Sequence, residues 1–143
     1  MQEPEQKVAL VTGAGKRLGR AIALGLAADG WDIVVHYRFS AQEAQSTVED
    51  IGKLGRRAIA LDCNLSDEKA TRDLIPRATA ALGRISCLVN SASLFDYDDA
   101  SSFTIAKLDE HMHANVAGPV ILAQALHQST PEGAQAVVIL SLI

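Results

Sequence analysis

The sequence predicts one α/β domain, a parallel sheet with helices on both faces. Three observations predict it. Short β-branched apolar runs recur along the chain, separated by longer stretches with helical spacing. The runs do not alternate apolar with polar residues, as expected of strands covered on both faces. The 143 residues, 48% hydrophobic and 21% charged, suit a single globular unit with a sizeable core.

Each element has its own signal. Val8 to Val11 is the first apolar run, followed by Thr12-Gly13. Leu18 to Ala28 has apolar residues at helical spacing and stops at Asp29-Gly30. Ile33 to Val35 is the second strand. Ser40 is the expected N-cap of a helix running to Leu54, with Glu43 completing a capping box and Gly55 ending the helix. Ala58 to Leu61 is the third strand. Ser66 is the expected cap of the next helix, which holds Asp67 and Glu68 in its first turn and closes at Gly83. Pro76 lies inside that helix, so a kink or early break is expected. Ile85 to Val89 is the fourth strand, residues 90–103 a polar loop, Thr104 to Gln128 mainly helix, and Ala136 to Ile143 a fifth strand.

Composition narrows the function classes. Thirteen basic against 17 acidic residues leave a net charge of -4, without the basic surplus that nucleic-acid binding needs. No apolar run reaches the roughly 18 residues of a membrane helix. Cys63 and Cys87 form no CxxC and sit in apolar stretches, where buried reduced thiols are usual. The polar, acidic start is not expected to be a signal peptide, and a cytoplasmic location is expected. No nucleic-acid or membrane partner is expected. The final apolar strand has no cap, turn or covering helix after it. Either a partner covers it, or the chain is the front part of a longer one; the second is expected.

Parallel sheets bind ligands beyond the carboxyl ends of their strands. The turns at 12–19, 36–40, 62–65 and 90–95 are therefore the candidate site. Gly13 allows a sharp turn, and Gly19 allows close helix–sheet packing. Backbone N–H groups at the helix start can then hold a pyrophosphate, although the segment could also be an ordinary glycine-containing turn. No carboxylate ends the second strand; Tyr37 and Arg38 stand there instead. With Lys16 nearby, Arg38 suits the additional phosphate of NADP over the free ribose hydroxyls of NAD. Asn64 either accepts a hydrogen bond from a ligand through its amide oxygen or helps to start the following helix. Phe95 either stacks on a flat ring or packs on the core. Asp96, Asp98 and Asp99 are expected to be a solvated loop, and no metal site is expected. His111 and His113 are expected to be solvated helix-start residues.

Thr12-Gly13-Ala14-Gly15-Lys16-Arg17-Leu18-Gly19 resembles the cofactor fingerprint of the short-chain dehydrogenase/reductase family, with Arg17 in place of the middle glycine. Lys16-Arg17-Leu18-Gly19 is similar to the turn of the pteridine reductase branch. The resemblance covers nearly the whole chain. It implies a Rossmann-type sheet of five strands in the order 3-2-1-4-5, within a single NADP-binding domain over residues 1–143 that is incomplete at its C-terminus. It also implies NADP(H) contacts from Gly13, Lys16, Arg17, Leu18, Gly19, His36, Tyr37, Arg38, Ser40, Asn64, Leu65, Ser91 and Ala92. By the same resemblance Arg17, Ser93 and Phe95 bound a pterin-like substrate. Asn115 bends its helix and supports a proton relay, or is structural. The family's Asn-Asn-Ala-Gly is replaced here by Asn90-Ser91-Ala92-Ser93.

The implied reaction is NADPH-dependent hydride transfer to a C=N or C=O bond of a small molecule, by a protein that is usually oligomeric. Protonation of the resulting anion needs a donor, in this family a tyrosine with a lysine four residues on. Neither Tyr37 nor Tyr97 has such a lysine. The accompanying serine or aspartate is expected at or just past Ile143, and Ser141 falls short of that place. By itself the 143-residue chain is expected to be inactive as a reductase. The alternative is a non-catalytic module that binds a nucleotide or a partner chain.

Overall fold

The structure, a computed structural model, describes residues 6–140. β1 (Val8–Val11) forms the middle of the sheet, and each of its four residues is buried. α1 (Arg17–Ala28) leads to β2 (Asp32–Tyr37), α2 (Ala41–Lys53) to β3 (Ala58–Asp62), and α3 (Glu68–Leu82) to β4 (Cys87–Asn90). α4 (Ile105–Met112), a π turn (His113–Ala117) and α5 (Gly118–Ser129) precede β5 (Val137–Leu140). The order is β3-β2-β1-β4-β5, every pair parallel, with Leu10 opposite Val34 on one side and Leu88 on the other.

Two cores explain the unbroken apolar strands. Val8, Leu10, Val34 and Leu88 pack with Leu74, Ile75, Leu122 and Leu126 of α3 and α5. Ala9, Val11, Ile33 and Val35 pack on the other face with Ala23, Ala27, Ala44 and Ile51 of α1 and α2. Successive strand residues face opposite ways, so a strand covered on both sides must be apolar throughout. β5 lies at the sheet edge and all four of its residues are exposed. Among the described residues, no helix is long and apolar enough to cross a membrane.

Asp32 is the buried charged exception in the sheet. It is 1% exposed and meets both Arg56 and Arg57 at 2.9 Å. Burial alone would raise its carboxyl pKa. Hydrogen bonds from the Arg57 backbone and side chain, with the charges of Arg56 and Arg57, outweigh burial and hold it below the usual value. Burial pushes the thiols of Cys63 and Cys87 up, and both are free.

Three local expectations are corrected. The cap of α3 is Asp67, whose side chain accepts from the Ala70 N–H, while Ser66 donates its own N–H to Asn64 Oδ1 at 3.0 Å. Ser40 precedes α2 but its side chain makes no capping bond, and Glu43 faces Lys16 at 3.7 Å, so no capping box forms. α3 runs unbroken through Pro76, which sits on its exposed face, where water can serve the carbonyl it leaves unpaired. The helical stretch expected from Thr104 to Gln128 is present as α4 and α5, joined by the π turn that contains Asn115.

Candidate functional site

The site is the carboxyl end of β1, β2, β3 and β4, built outward from Thr12. Thr12 is buried, donates its N–H to the Val89 carbonyl at 3.0 Å and accepts from the N–H groups of Ser91 (3.0 Å) and Ala92 (2.9 Å) through Oγ1. One hydroxyl thus ties the turn after β1 to the turn after β4. Gly13 follows with φ +62°, and a Cβ there would lie 3.0 Å from Ala92 Cα. The glycine is required by both conformation and space.

His36, at the end of β2, supports the same turn from below. Its Nδ1 accepts the Gly13 N–H at 3.0 Å, and its Nε2 lies 2.9 Å from the Cys63 carbonyl. The carbonyl can only accept, so Nε2 carries the proton and the imidazole is neutral. The ring is 2% exposed, and burial lowers its pKa. The resemblance places His36 against a cofactor phosphate. Here both ring nitrogens are engaged inside the protein, so its part is to hold the glycine turn against the loop after β3.

α1 then starts the phosphate-facing side. Lys16, at its N-cap, is exposed and makes no capping bond with its side chain. Gly19 is buried, and a Cβ there would stand 2.1 Å from the Gly13 carbonyl oxygen. The first turn of the helix is thereby pressed against the glycine turn, as a helix N-terminus that receives an anion requires. Arg17 has φ +49°, the only non-glycine residue in the left-handed region among those described. The backbone keeps the shape a glycine would take, but it carries a guanidinium into the exposed turn. Arg17→Gly is expected to raise unfolding stability by up to about 1 kcal/mol, measured by urea titration, because that conformation is uphill for an arginine.

His36, Arg38, Asn64, Leu65, Ala92 and Ser93 line one cavity, together with Cys63, Ser66, Leu94 and Ala114. Arg38 lies 3.9 Å from Glu110 and stacks over the Phe39 ring at 4.7 Å. Asn64 uses its side-chain oxygen on the Ser66 N–H, which realises the helix-starting alternative. Tyr37 is half-buried and pairs in register with Asp62, and Ser40 stands just before α2. Leu18 is 47% exposed beside Arg17. Phe95 is 84% exposed, which overturns the alternative of core packing.

Asn115 lies in the π turn and spends both amide atoms on one residue. Its Oδ1 accepts the Leu94 N–H at 2.7 Å and its Nδ2 donates to the Leu94 carbonyl at 2.8 Å. It is therefore a positioning residue in this structure, holding the loop after β4. Gly118 lets α5 approach, since a Cβ there would be 3.0 Å from the Leu65 carbonyl oxygen. Ser141 lies outside the described residues. Sequence reasoning missed the two-way bridge of Thr12 and the bonding of His111, which stands four residues before Asn115 on the same helical face. Among the described residues, no group of three His, Cys, Asp or Glu side chains could hold a metal.

The comparisons with known proteins fit this geometry. The chain matches the short chain dehydrogenase family over residues 7–142. It is 34% identical over 143 residues to an uncharacterized oxidoreductase of Methylorubrum extorquens, covering 100% of this chain and 58% of that protein. A short chain dehydrogenase from Burkholderia cenocepacia, solved in complex with NADP, superposes with a TM-score of 0.85 at 38% identity, over 92% of this chain and 54% of that one. FolM alternative dihydrofolate reductase 1 from Brucella suis, also in complex with NADP, gives 0.87 at 31%, over 94% of this chain and 56% of that one. The chain spans about half the length of the curated relatives it matches. The parallel sheet in the order β3-β2-β1-β4-β5, the Thr12–Gly19 turn and these likenesses have one source: the chain belongs to the short-chain dehydrogenase/reductase family.

Proposed function

We propose that this chain supplies the NADP(H)-holding part of an oxidoreductase that reduces a C=N or C=O bond of a pterin-like small molecule. The observation that carries the cofactor reading is Arg38, which follows β2 directly, where no carboxylate stands, and lines the cavity. The residues fit the group. Gly13 and Gly19 let the turn close against Ala92 and the start of α1, a helix N-terminus suited to a pyrophosphate, and Lys16 and Arg38 offer cations to the additional phosphate. Glu43 and Glu110, now 3.7 and 3.9 Å from those cations, are the carboxylates such a phosphate displaces.

When bound, NADPH supplies a hydride to carbon, and the nitrogen or oxygen of the reduced bond takes a proton. The residues of this chain bind and orient. Thr12 and His36 fix the turn, Asn115 fixes Leu94, Ser93 lines the cavity, and Phe95, two residues on, offers an exposed ring to a flat heteroaromatic partner. The exposure of Phe95 supports stacking, since none of the described residues covers the ring. The FolM likeness supports the same substrate class.

The test is Arg38→Ala. A charge-assisted contact to phosphate is worth about 1.5–3 kcal/mol, so NADPH should bind about 10- to 100-fold more weakly. NADH affinity should stay within about twofold, because NADH has no such phosphate. Equal losses for both cofactors, measured by titration calorimetry, would remove the assignment. For the substrate reading, Phe95→Ala should weaken 7,8-dihydrobiopterin binding about tenfold at unchanged NADPH affinity.

A further inference from the structure

The loop that follows β4 carries Phe95 between two tethered neighbours. Leu94, before it, is held through both backbone groups by Asn115. Asp96, after it, donates its N–H to His111 Nε2 at 3.3 Å. His111 also lies with Nδ1 2.7 Å from the Lys107 carbonyl, one turn back in α4. The carbonyl must accept, so Nδ1 carries the proton and the lone pair of Nε2 faces Asp96. A single neutral tautomer satisfies both contacts. His113, two residues on, is exposed and bonds through Nδ1 to the Asp109 carbonyl at 2.6 Å.

We propose that His111 is a positioning residue for substrate recognition, bracketing Phe95 together with Asn115. The inference rests on the reading of Phe95 as the stacking residue. An exposed aromatic on an irregular loop would otherwise have to be ordered when the ligand arrives, and that ordering weakens binding. Here the two neighbours of the ring are pinned to one helical face, at positions 111 and 115, before any ligand is present. The ring is left free to receive a flat partner while its backbone is already fixed.

The experiment compares the wild type with His111→Leu, which removes the acceptor, and His111→Gln, which restores one at similar reach. Calorimetry reads 7,8-dihydrobiopterin binding to the NADPH-loaded protein, and NMR reads amide hydrogen exchange at Leu94 and Asp96. In His111→Leu the Asp96 amide should exchange about tenfold faster and Leu94 should not change. The pterin should bind about fivefold more weakly, NADPH should bind as before, and His111→Gln should recover the pterin affinity. Unchanged Asp96 exchange in His111→Leu overturns the tether. Pterin binding that is equal in wild type and His111→Leu, or equally weak in both variants, overturns the positioning role while leaving the stacking reading intact. A wild type that binds no dihydrobiopterin removes the substrate reading and the role of His111 with it.

Discussion

Gly19→Ala is expected to destabilise the chain by at least about 3 kcal/mol and to remove measurable NADPH binding. A Cβ at this position would stand 2.1 Å from the Gly13 carbonyl oxygen, 2.7 Å from its carbonyl carbon and 3.2 Å from Ala14 Cα. All three are backbone atoms, so no side chain can swing aside to relieve the clash. The turn itself must move, yet Thr12 anchors it to the β4 loop and His36 anchors Gly13 to β2. Moving α1 outward instead would unpack Ala23 and Ala27 from the sheet. Gly25 is the control on the same helix. Nothing lies within 4 Å of a Cβ there, so Gly25→Ala should stabilise by about 0.5–1 kcal/mol through helix propensity. Urea unfolding with and without NADPH reads both variants. A Gly19→Ala midpoint equal to that of the wild type would show that the close approach does not matter.

Much of this was legible because it depends on period and on position. Val8–Val11 and Cys87–Asn90 announce doubly covered strands by having no polar alternation, and the helices between them announce parallel pairing. Gly13 and Gly19 were readable as special because they flank a strand-to-helix turn. The misses occur where a choice between neighbours is settled in three dimensions. Ser66 and Asp67 are both good caps. The chain uses Asp67, whose Oδ1 accepts the Ala70 N–H at 2.8 Å, while Ser66 sits one residue earlier in the turn with its N–H given to Asn64 Oδ1. The π turn keeps the same residue types as the helices around it, so no composition signal marks His113–Ala117. Pro76 was read as a breaker, but a proline on an exposed helix face leaves its carbonyl partner to water. For His36 the family resemblance alone implied a phosphate contact, and nothing in its residue type or strand position shows what its nitrogens meet. Only the packing of Cys63 and the glycine turn around it shows that both nitrogens are used inward.

His36 carries the second large effect, and its sign can be worked out. Burial is the main influence on the ring and lowers its pKa, opposed by the bond to the Cys63 carbonyl and the charge of Asp62, and assisted by Arg77. The folded pKa therefore lies below the unfolded value near 6.5. As pH falls through that value the unfolded chain gains a proton first, so stability is full above it and declines as pH drops toward the folded pKa. Protonation would also point an N–H at the Gly13 N–H and detach the turn that the cofactor needs. Wild-type stability should therefore fall as pH drops below about 6.5, before the depressed aspartates Asp32, Asp50, Asp98 and Asp99 titrate, and NADPH affinity should fall only as pH reaches the lower folded pKa of His36. His36→Leu leaves the Gly13 N–H and the Cys63 carbonyl without partners and should be destabilising by about 2–5 kcal/mol at every pH in that range. His36→Gln, whose amide can accept from one and donate to the other, should recover most of that loss. It should also flatten the pH dependence, because an amide does not titrate. Urea midpoints at pH 7.5 and 5.5 separate the two ideas. A glutamine variant that loses stability with acid as steeply as the wild type would place the titrating group elsewhere.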